Sequence, residues 1–142
     1  MYPVVSYPDA ALAVLHVSTG LFFTTSGARK LFLSDVHKKV AGLFSHLGVG
    51  GKFVEWAVPT GEFLGGLGLF FGVLVQPAAA GLLLIMFGAY KLDTWPGVKA
   101  KQTASSHWSQ LVSNALCNPE AQLIFILIAL LLAGGGRYSL VG

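Results

Sequence analysis

The sequence predicts an all-α fold, a four-helix transmembrane bundle with a short interfacial helix in the first loop. Apolar residues make up 54% of the 142 residues and charged residues only 11%, whereas a typical soluble domain carries roughly 25% charge. The mean hydropathy of +0.70 agrees with this bias. Four apolar segments approach the length of about 20 residues that a helix needs to cross a bilayer. Backbone polar groups in hydrocarbon must be satisfied within each segment, so these segments are predicted to be helices.

The composition also excludes several classes of protein. A chain of 142 residues favours a single domain, 1–142. So apolar a chain is neither disordered nor a nucleic-acid-binding module, and its polar surface is too small to cover an ordinary soluble enzyme. Cys117 is the one cysteine, which excludes an internal disulfide, a CxxC redox pair and a cysteine-rich metal site. The lipid bilayer is therefore the expected partner, and nucleic acid is not.

The four predicted spans follow one another along the chain. They cover about residues 9–26, 54–75, 77–95 and 119–134. Pro77 and Pro119 suit first helical turns, because the missing N–H of proline would have no partner there. We expect Trp95-Pro96-Gly97 to end the third span and Gly134-Gly135-Gly136 to end the fourth. Almost no loop is left between the second and third spans, which predicts a tight antiparallel hairpin.

The loops predict an orientation in the membrane. Eight of the nine lysines and arginines lie in the two long loops or at their edges, and Arg137 is the exception. By the positive-inside rule, both long loops are expected in the cytoplasm and both termini outside, in a multi-pass protein of the cell membrane. The apolar residues from Leu31 to Leu47 show rough helical periodicity, which predicts the short interfacial helix in the first loop.

Glycines in the second span predict close packing with a neighbouring helix. Gly61, Gly65, Gly68 and Gly72 are spaced by 4, 3 and 4 residues and so share one helical face. Such a surface lets a second backbone approach closely. We expect the central contact of the bundle to be the hairpin of spans two and three. The alternative is that this groove admits a flat ligand or a lipid tail.

Two ionisable residues inside the spans are candidate catalytic residues, because burying such groups in a membrane costs roughly 2.5–3.5 kcal/mol on insertion scales. Glu62 lies beside the glycine face, and it either exchanges protons with a quinone or another redox ligand or forms a structural ion pair with Arg29 or Lys30; the two roles are compatible. His16 lies near the middle of the first span. It is either a neutral imidazole bonded to a facing helix or a contact for a quinone carbonyl or a proton relay.

Further polar residues lie at the loop ends of the spans and are predicted to meet Glu62 there. We assign Arg29, Lys30, Tyr90 and Asp93 to cofactor binding, and we place Glu120 in the same half of the bundle. Glu120 is also a plausible acid for a helix N-terminus. No HxxxH or ExxH spacing is present, so neither a metal nor a haem is expected. Soluble catalytic motifs such as GxSxG and GxxxxGK[ST] are also absent.

Three ordered motifs resemble those of the DoxX family of small four-span membrane proteins. Gly27-Ala28-Arg29-Lys30-Leu31 is similar to the family's GxxKL, and Glu62-Phe63-Leu64-Gly65-Gly66-Leu67 is similar to its ExxGGL. Glu120 opens the fourth span, and Gly134-Gly135-Gly136-Arg137-Tyr138-Ser139-Leu140 closes the chain like the family's GxGRYSL. Val141 stands where the family's tail usually continues with aspartate. By this resemblance Lys30, Glu62, Glu120, Arg137 and Tyr138 are motif residues.

The resemblance implies a role that the residues alone do not. Relatives include the DoxD subunit of thiosulfate:quinone oxidoreductase, so the implied protein is a membrane subunit that anchors a redox partner and exchanges electrons and protons with quinone. It is at most a non-catalytic or quinone-reactive subunit of an oxidoreductase, and it needs a catalytic partner because it has no evident redox centre. The alternatives are a structural or assembly subunit without chemistry, and a small carrier or channel. Homo-oligomers are compatible with each.

Overall fold

The computed structural model describes residues 7–45, 49–102 and 108–140, and most of these residues are helical. No strand occurs in these ranges, which confirms the all-α prediction. The described residues form seven α-helices in chain order, with a π-helical turn after α4 and a 3₁₀ turn near the end. They are α1 (Pro8–Phe32), α2 (Ser34–Phe44), α3 (Val49–Phe71), α4 (Val75–Ala89), the π turn (Tyr90–Thr94), α5 (Trp95–Gln102), α6 (Trp108–Leu116), α7 (Pro119–Ala133) and the 3₁₀ turn (Gly136–Tyr138).

The four long helices α1, α3, α4 and α7 form an antiparallel bundle with two distinct ends. The start of α1, the α3–α4 turn and the C-terminal segment lie together at one end, which we call the terminal end. There the backbone N–H of Arg137 donates to Asp9 Oδ1 at 3.2 Å, and that of Leu140 donates to the carbonyl of Gly72 at 2.8 Å. The opposite end, which we call the loop end, carries α2, α5 and α6. Both long loops are thus at the same end of the bundle.

The most extensive helix contact joins α1 to α3, and glycine makes it possible. A Cβ atom added to Gly20 would lie 2.7 Å from the carbonyl oxygen of Gly66, and one added to Gly27 would lie 2.5 Å from the backbone nitrogen of Phe63. The two backbones therefore touch directly. The prediction that the hairpin of spans two and three makes the central contact is wrong. Where α3 faces α4, side chains separate the two backbones.

The predicted glycine face of α3 contacts both α4 and the α3–α4 turn. Gly61 and Gly65 face the side chains of Ile85 and Leu82 on α4, and Gly68 faces the α3–α4 turn. Gly72 opens that turn with a φ of +64°, a conformation that favours glycine. The turn is as tight as the sequence predicts, since α3 ends at Phe71 and α4 begins at Val75.

The helix that contains α4 does not end at the Trp95-Pro96-Gly97 sequence. It continues through the π turn into α5, with the backbone N–H of Trp95 bonded to the carbonyl of Tyr90. Pro96 is then in the first turn of α5, where a proline needs no N–H donor. The prediction of a stop at these residues is wrong for that reason. The stop at Gly134 is confirmed, because Gly134 follows α7 directly with a φ of +73°.

The apolar helices have the lengths and compositions expected of a membrane protein. Within the described residues, two helical segments are long and apolar enough to cross a bilayer, Pro8–Phe32 and Val75–Ala100, and α7 is a shorter apolar helix. Helix α3 is 23 residues long but carries Glu55 and Glu62. The short helix predicted in the first loop is present as α2.

Candidate functional site

A buried ion pair joins α1 to α3 at the loop end. Lys30 Nζ lies 2.7 Å from both carboxylate oxygens of Glu62, and Ser26 Oγ donates to Oε2 at 3.3 Å. The Glu62 side chain is 1% exposed, whereas that of Lys30 is 26% exposed. The acid is thus held deep between the helices by a cation that still reaches the surface. Of the two basic residues that the sequence offered, Lys30 is the partner, and Arg29 lies exposed one residue away.

The local sequence of α1 explains why this pair forms. Ser26 and Lys30 are four residues apart, so they lie one above the other on the same helix face as Phe22. Because Gly27 allows the backbones of α1 and α3 to touch, this face meets Glu62 at close range. Ser26 was missed in the sequence reasoning, although its spacing from Lys30 was a usable signal.

The exposed side of Lys30 lines two cavities. One has a volume of about 240 Å³ and lies between α1 and α2, where Arg29 and Val36 also line it. The other has a volume of about 130 Å³ and lies between α1, α4 and α7. We call the second one the Lys30 cavity. Its lining residues are Phe22, Ser26, Lys30, Met86, Ala89, Pro119, Glu120 and Leu123.

The Lys30 cavity combines apolar walls with two opposite charges. Phe22, Met86 and Leu123 supply carbon surface, while Lys30 supplies an ammonium and Glu120 a carboxylate. Glu62 is not among the lining residues of either cavity, so it contacts a ligand there only through Lys30. An ammonium has three N–H donors, and the two oxygens of Glu62 do not use all of them. The cavity therefore suits an apolar ring that carries hydrogen-bonding oxygen atoms.

The remaining predicted loop-end residues lie in different places. The Tyr90 hydroxyl donates to the carbonyl of Ala115 at 3.1 Å, so it fastens the π turn to α6 rather than pointing at Glu62. Arg29 lines the cavity beneath α2. The side chain of Asp93 lies outside the described part of the structure. Of the predicted cluster, the structure brings together Lys30, Glu62 and Glu120 around one cavity and its wall.

His16 lies in the other half of the bundle. Its Nδ1 is 2.8 Å from the carbonyl oxygen of Leu69, near the end of α3, and the residue is 2% exposed. Because a carbonyl only accepts, Nδ1 is the donor. This bond to the facing helix matches one of the two roles expected of His16. The other ring nitrogen, Nε2, is buried and has no hydrogen-bond partner among the described residues.

Glu62 and His16 belong to separate sites. His16 is fourteen residues before Lys30, a distance of about 21 Å along the helix at 1.5 Å per residue. Between them the backbones of α1 and α3 touch at Gly20 and Gly27. Direct backbone contact closes the α1–α3 interface between the two residues, so this interface leaves no passage from Glu62 to His16.

A second polar link at the loop end was not predicted from the sequence. His37 of α2 lies with Nε2 2.8 Å from Glu55 Oε1 and with Nδ1 3.1 Å from the carbonyl oxygen of Lys30. The His37 ring also contacts the ring of Trp56, with centroids 4.4 Å apart and the two planes tilted by 45°. Helix α2 is thereby fixed to α1 and α3 above the ion pair. The sequence signals of this link were a histidine in an amphipathic loop helix and an acid in the first turns of the next span.

The terminal end holds the last motif residues. Arg137 and Tyr138 line an open cleft of about 490 Å³ together with Tyr7 and Asp9. The backbone N–H of Arg137 donates to Asp9 and so fastens the C-terminal segment to α1, whereas the side chain of Tyr138 is exposed. In the described residues, no three side chains of His, Cys, Asp or Glu are grouped as metal ligands would be.

The apolar bundle and its buried ion pair define a small helical membrane protein. The chain belongs to the DoxX family, whose model matches residues 11–95. This range runs from α1 to the first residue of α5 and includes His16, Lys30 and Glu62, and it ends before α7 and Glu120. The comparisons with curated proteins and with solved structures found no match.

Proposed function

We propose that the protein is a membrane subunit of a redox complex, which anchors a catalytic partner and exchanges electrons and protons with quinone in the Lys30 cavity. The observation that carries this proposal is a partly exposed ammonium that faces the carboxylate of Glu120 in a cavity with apolar walls between three helices. A quinone head is an apolar ring with two acceptor oxygens. It fits Phe22, Met86 and Leu123 with its ring and Lys30 with one oxygen.

Glu62 has a positioning role in this proposal. Its carboxylate holds Lys30 at 2.7 Å and lies behind it, away from the cavity. It holds the ammonium in one place, so that an N–H donor faces the quinone oxygen without reorganisation. In this proposal the electrons come from a redox cofactor of the partner subunit.

The loop end is the proposed docking side for the partner. Electrons must reach the Lys30 cavity, which lies at this end, and the exposed side chains of Lys38, Lys39 and Lys52 give the same end a basic surface. Complementary charge guides association, and an acidic partner surface is therefore expected. Isolation of the complex from native membranes at natural expression level tests this directly. A preparation that contains no redox subunit would contradict the proposal.

Glu62→Gln separates the redox role from the second candidate, a structural subunit. The bidentate Lys30–Glu62 pair alone would favour a structural subunit, since it already ties α1 to α3. Glutamine keeps the size of the side chain and a carbonyl acceptor but removes the charge that positions Lys30. We expect the isolated complex to stay assembled while its quinone-dependent turnover falls about tenfold or more. The measurement is turnover per assembled complex.

The matched control for that variant is Asp35→Asn. Asp35 is an exposed acid in the first turn of α2, at the same end of the bundle. It should leave both assembly and turnover unchanged. If Glu62→Gln lowers only the stability and not the turnover of the assembled complex, the structural role is the correct one. Flux of solutes in proteoliposomes would instead support the carrier or channel.

The proposed topology has four spans, with the loop end in the cytoplasm and both termini outside. Cys117 is exposed between α6 and α7 and is a natural reporter of the loop end. We expect a membrane-impermeant maleimide to label it in inverted vesicles and not in intact cells. The control is Cys117→Ser combined with Tyr138→Cys, which moves the thiol to the terminal end and should reverse the pattern. Labelling of Cys117 in intact cells would contradict the topology.

A further inference from the structure

We propose that Glu120 is the proton-transferring residue of the Lys30 cavity, where it accepts a hydrogen bond from the hydroxyl of a quinol. This inference rests on the proposed function and assigns a catalytic role to one side chain. Glu120 lines the same cavity as Lys30 and belongs to a different helix. In the described contacts its carboxylate has no hydrogen-bonding or ion-pair partner, while Lys30 is already paired with Glu62.

The two carboxylates near the cavity have unlike surroundings. The Glu62 side chain is 1% exposed, accepts hydrogen bonds from Lys30 and Ser26, and lines neither cavity, so neither a ligand nor water reaches it. Glu120 is partly exposed at the first turn of α7, and it borders both the cavity and the loop end. A group that exchanges protons with both a ligand and water needs that position. Glu62 lacks it, which is why we assign proton transfer to Glu120.

The proposed step balances as follows. The quinone takes two electrons from the partner's redox cofactor and two protons, and it becomes a quinol. As the ring is reduced, solvent at the loop end gives a proton to the carboxylate of Glu120, which passes it to the ring oxygen that faces Glu120; an O–H bond forms there and Glu120 is again a carboxylate. The ring oxygen at Lys30 takes the second proton from solvent that reaches the exposed side of Lys30. Lys30 donates a hydrogen bond to the ring oxygen and retains its own protons.

This arrangement predicts a preference that a merely structural residue would not produce. A carboxylate accepts a hydrogen bond from a quinol, whereas a quinone has no donor and presents only oxygen atoms to it. The chain should therefore bind the quinol more tightly than the quinone, by about tenfold, because hydrogen bonds to charged groups are the stronger ones. Equivalently, the midpoint potential of the bound quinone should rise by about 30 mV.

The experiment measures binding of a short-tailed benzoquinone and of its quinol to the full chain in lipid nanodiscs. The wild-type chain should prefer the quinol about tenfold, and Glu120→Gln should retain quinone binding and lose most of this preference. The matched control is Asp35→Asn, which removes an exposed first-turn acid at the same end and should keep the preference. Glu120→Asp keeps the carboxylate with a shorter reach and should give an intermediate ratio.

The outcomes distinguish the two levels of the argument. If the wild-type chain binds neither the quinone nor the quinol, the proposed function itself fails. If it binds both, and a folded Glu120→Gln variant keeps the wild-type ratio, the assignment of Glu120 is wrong while the quinone site stands. A wild-type preference for the quinone would also overturn the assignment. Thermal unfolding of each variant shows whether it is folded, and only folded variants are compared.

Discussion

Replacing Gly20 by alanine is expected to lower the free energy of unfolding by about 3 kcal/mol, the upper end of the usual range for overpacking. The new Cβ would lie 2.6 Å from the Cα of Phe70 and 2.7 Å from the carbonyl oxygen of Gly66. Both are backbone atoms of α3, which cannot move aside as a flexible side chain does. The two helices must separate, and the interface that holds Lys30 against Glu62 separates with them.

Gly81→Ala is the matched control for that prediction. Gly81 is also a helical glycine, on α4, but a Cβ added there meets nothing within 4 Å. Alanine is the better helix former by about 1 kcal/mol, so the variant should be neutral or slightly more stable. Both variants are compared by thermal unfolding in the same detergent. Equal stability of Gly20→Ala and Gly81→Ala would contradict the direct backbone contact of α1 with α3.

Removing Lys30 should be nearly as damaging, for an electrostatic reason. In Lys30→Met the carboxylate of Glu62, whose side chain is 1% exposed, loses its cation and cannot reach water. Breaking a buried pair by removal of one partner costs about 3–5 kcal/mol. We expect a value of about 3 kcal/mol, since Lys30 is itself partly exposed and Ser26 still donates to Glu62.

The double variant Lys30→Met/Glu62→Leu is the informative comparison. It replaces both charges by apolar groups and leaves no unpaired ion, so most of the lost stability should return. Lys38→Met is the control for loss of an exposed lysine at the same end and should change stability by less than about 0.5 kcal/mol. If the single and double variants are equally unstable, the pair does not have the geometry described here. Restored stability without restored quinone turnover would separate the structural contribution of the pair from its role in the cavity.

The helical fold was predictable because its signals are local. Long apolar segments, Pro119 at a helix start and Gly134 at a helix end act within a few residues of themselves, and each is found where the sequence indicates. The Trp95-Pro96-Gly97 sequence was misread because a proline suits the first turn of a new helix as well as the end of an old one. A π turn upstream decided between the two, and nothing in the sequence marks it.

The helix pairing was not predictable to the same degree. Both α1 and α3 carry glycines, and Gly20 and Gly27 lie seven residues apart on one face of α1. Spacing shows which glycines share a face, but it does not show which helix meets that face. The same limit applies to the ion pair: Arg29 and Lys30 point about 100° apart on the helix, and only the α1–α3 packing places Lys30 against Glu62.

The sequence predicted which residues belong to the candidate site but not how they are arranged. Glu62, Lys30 and Glu120 were expected together at the loop end, and they surround one cavity or its wall. Tyr90 was expected there too, but a bond to Ala115 directs it to α6. The two acids differ in burial, since Glu62 is buried behind Lys30 whereas Glu120 faces the cavity. Such a division of roles depends on three helices at once and has no signature in any one segment.

The most direct measurement is a density map of the complex isolated from native membranes with quinone present. The proposal predicts a flat ring between α1, α4 and α7, with one oxygen at Lys30 and another atom within hydrogen-bonding distance of Glu120. It also predicts a partner chain against the loop end. A cavity that holds only a phospholipid chain, with the quinone elsewhere or no partner bound, would contradict the redox role.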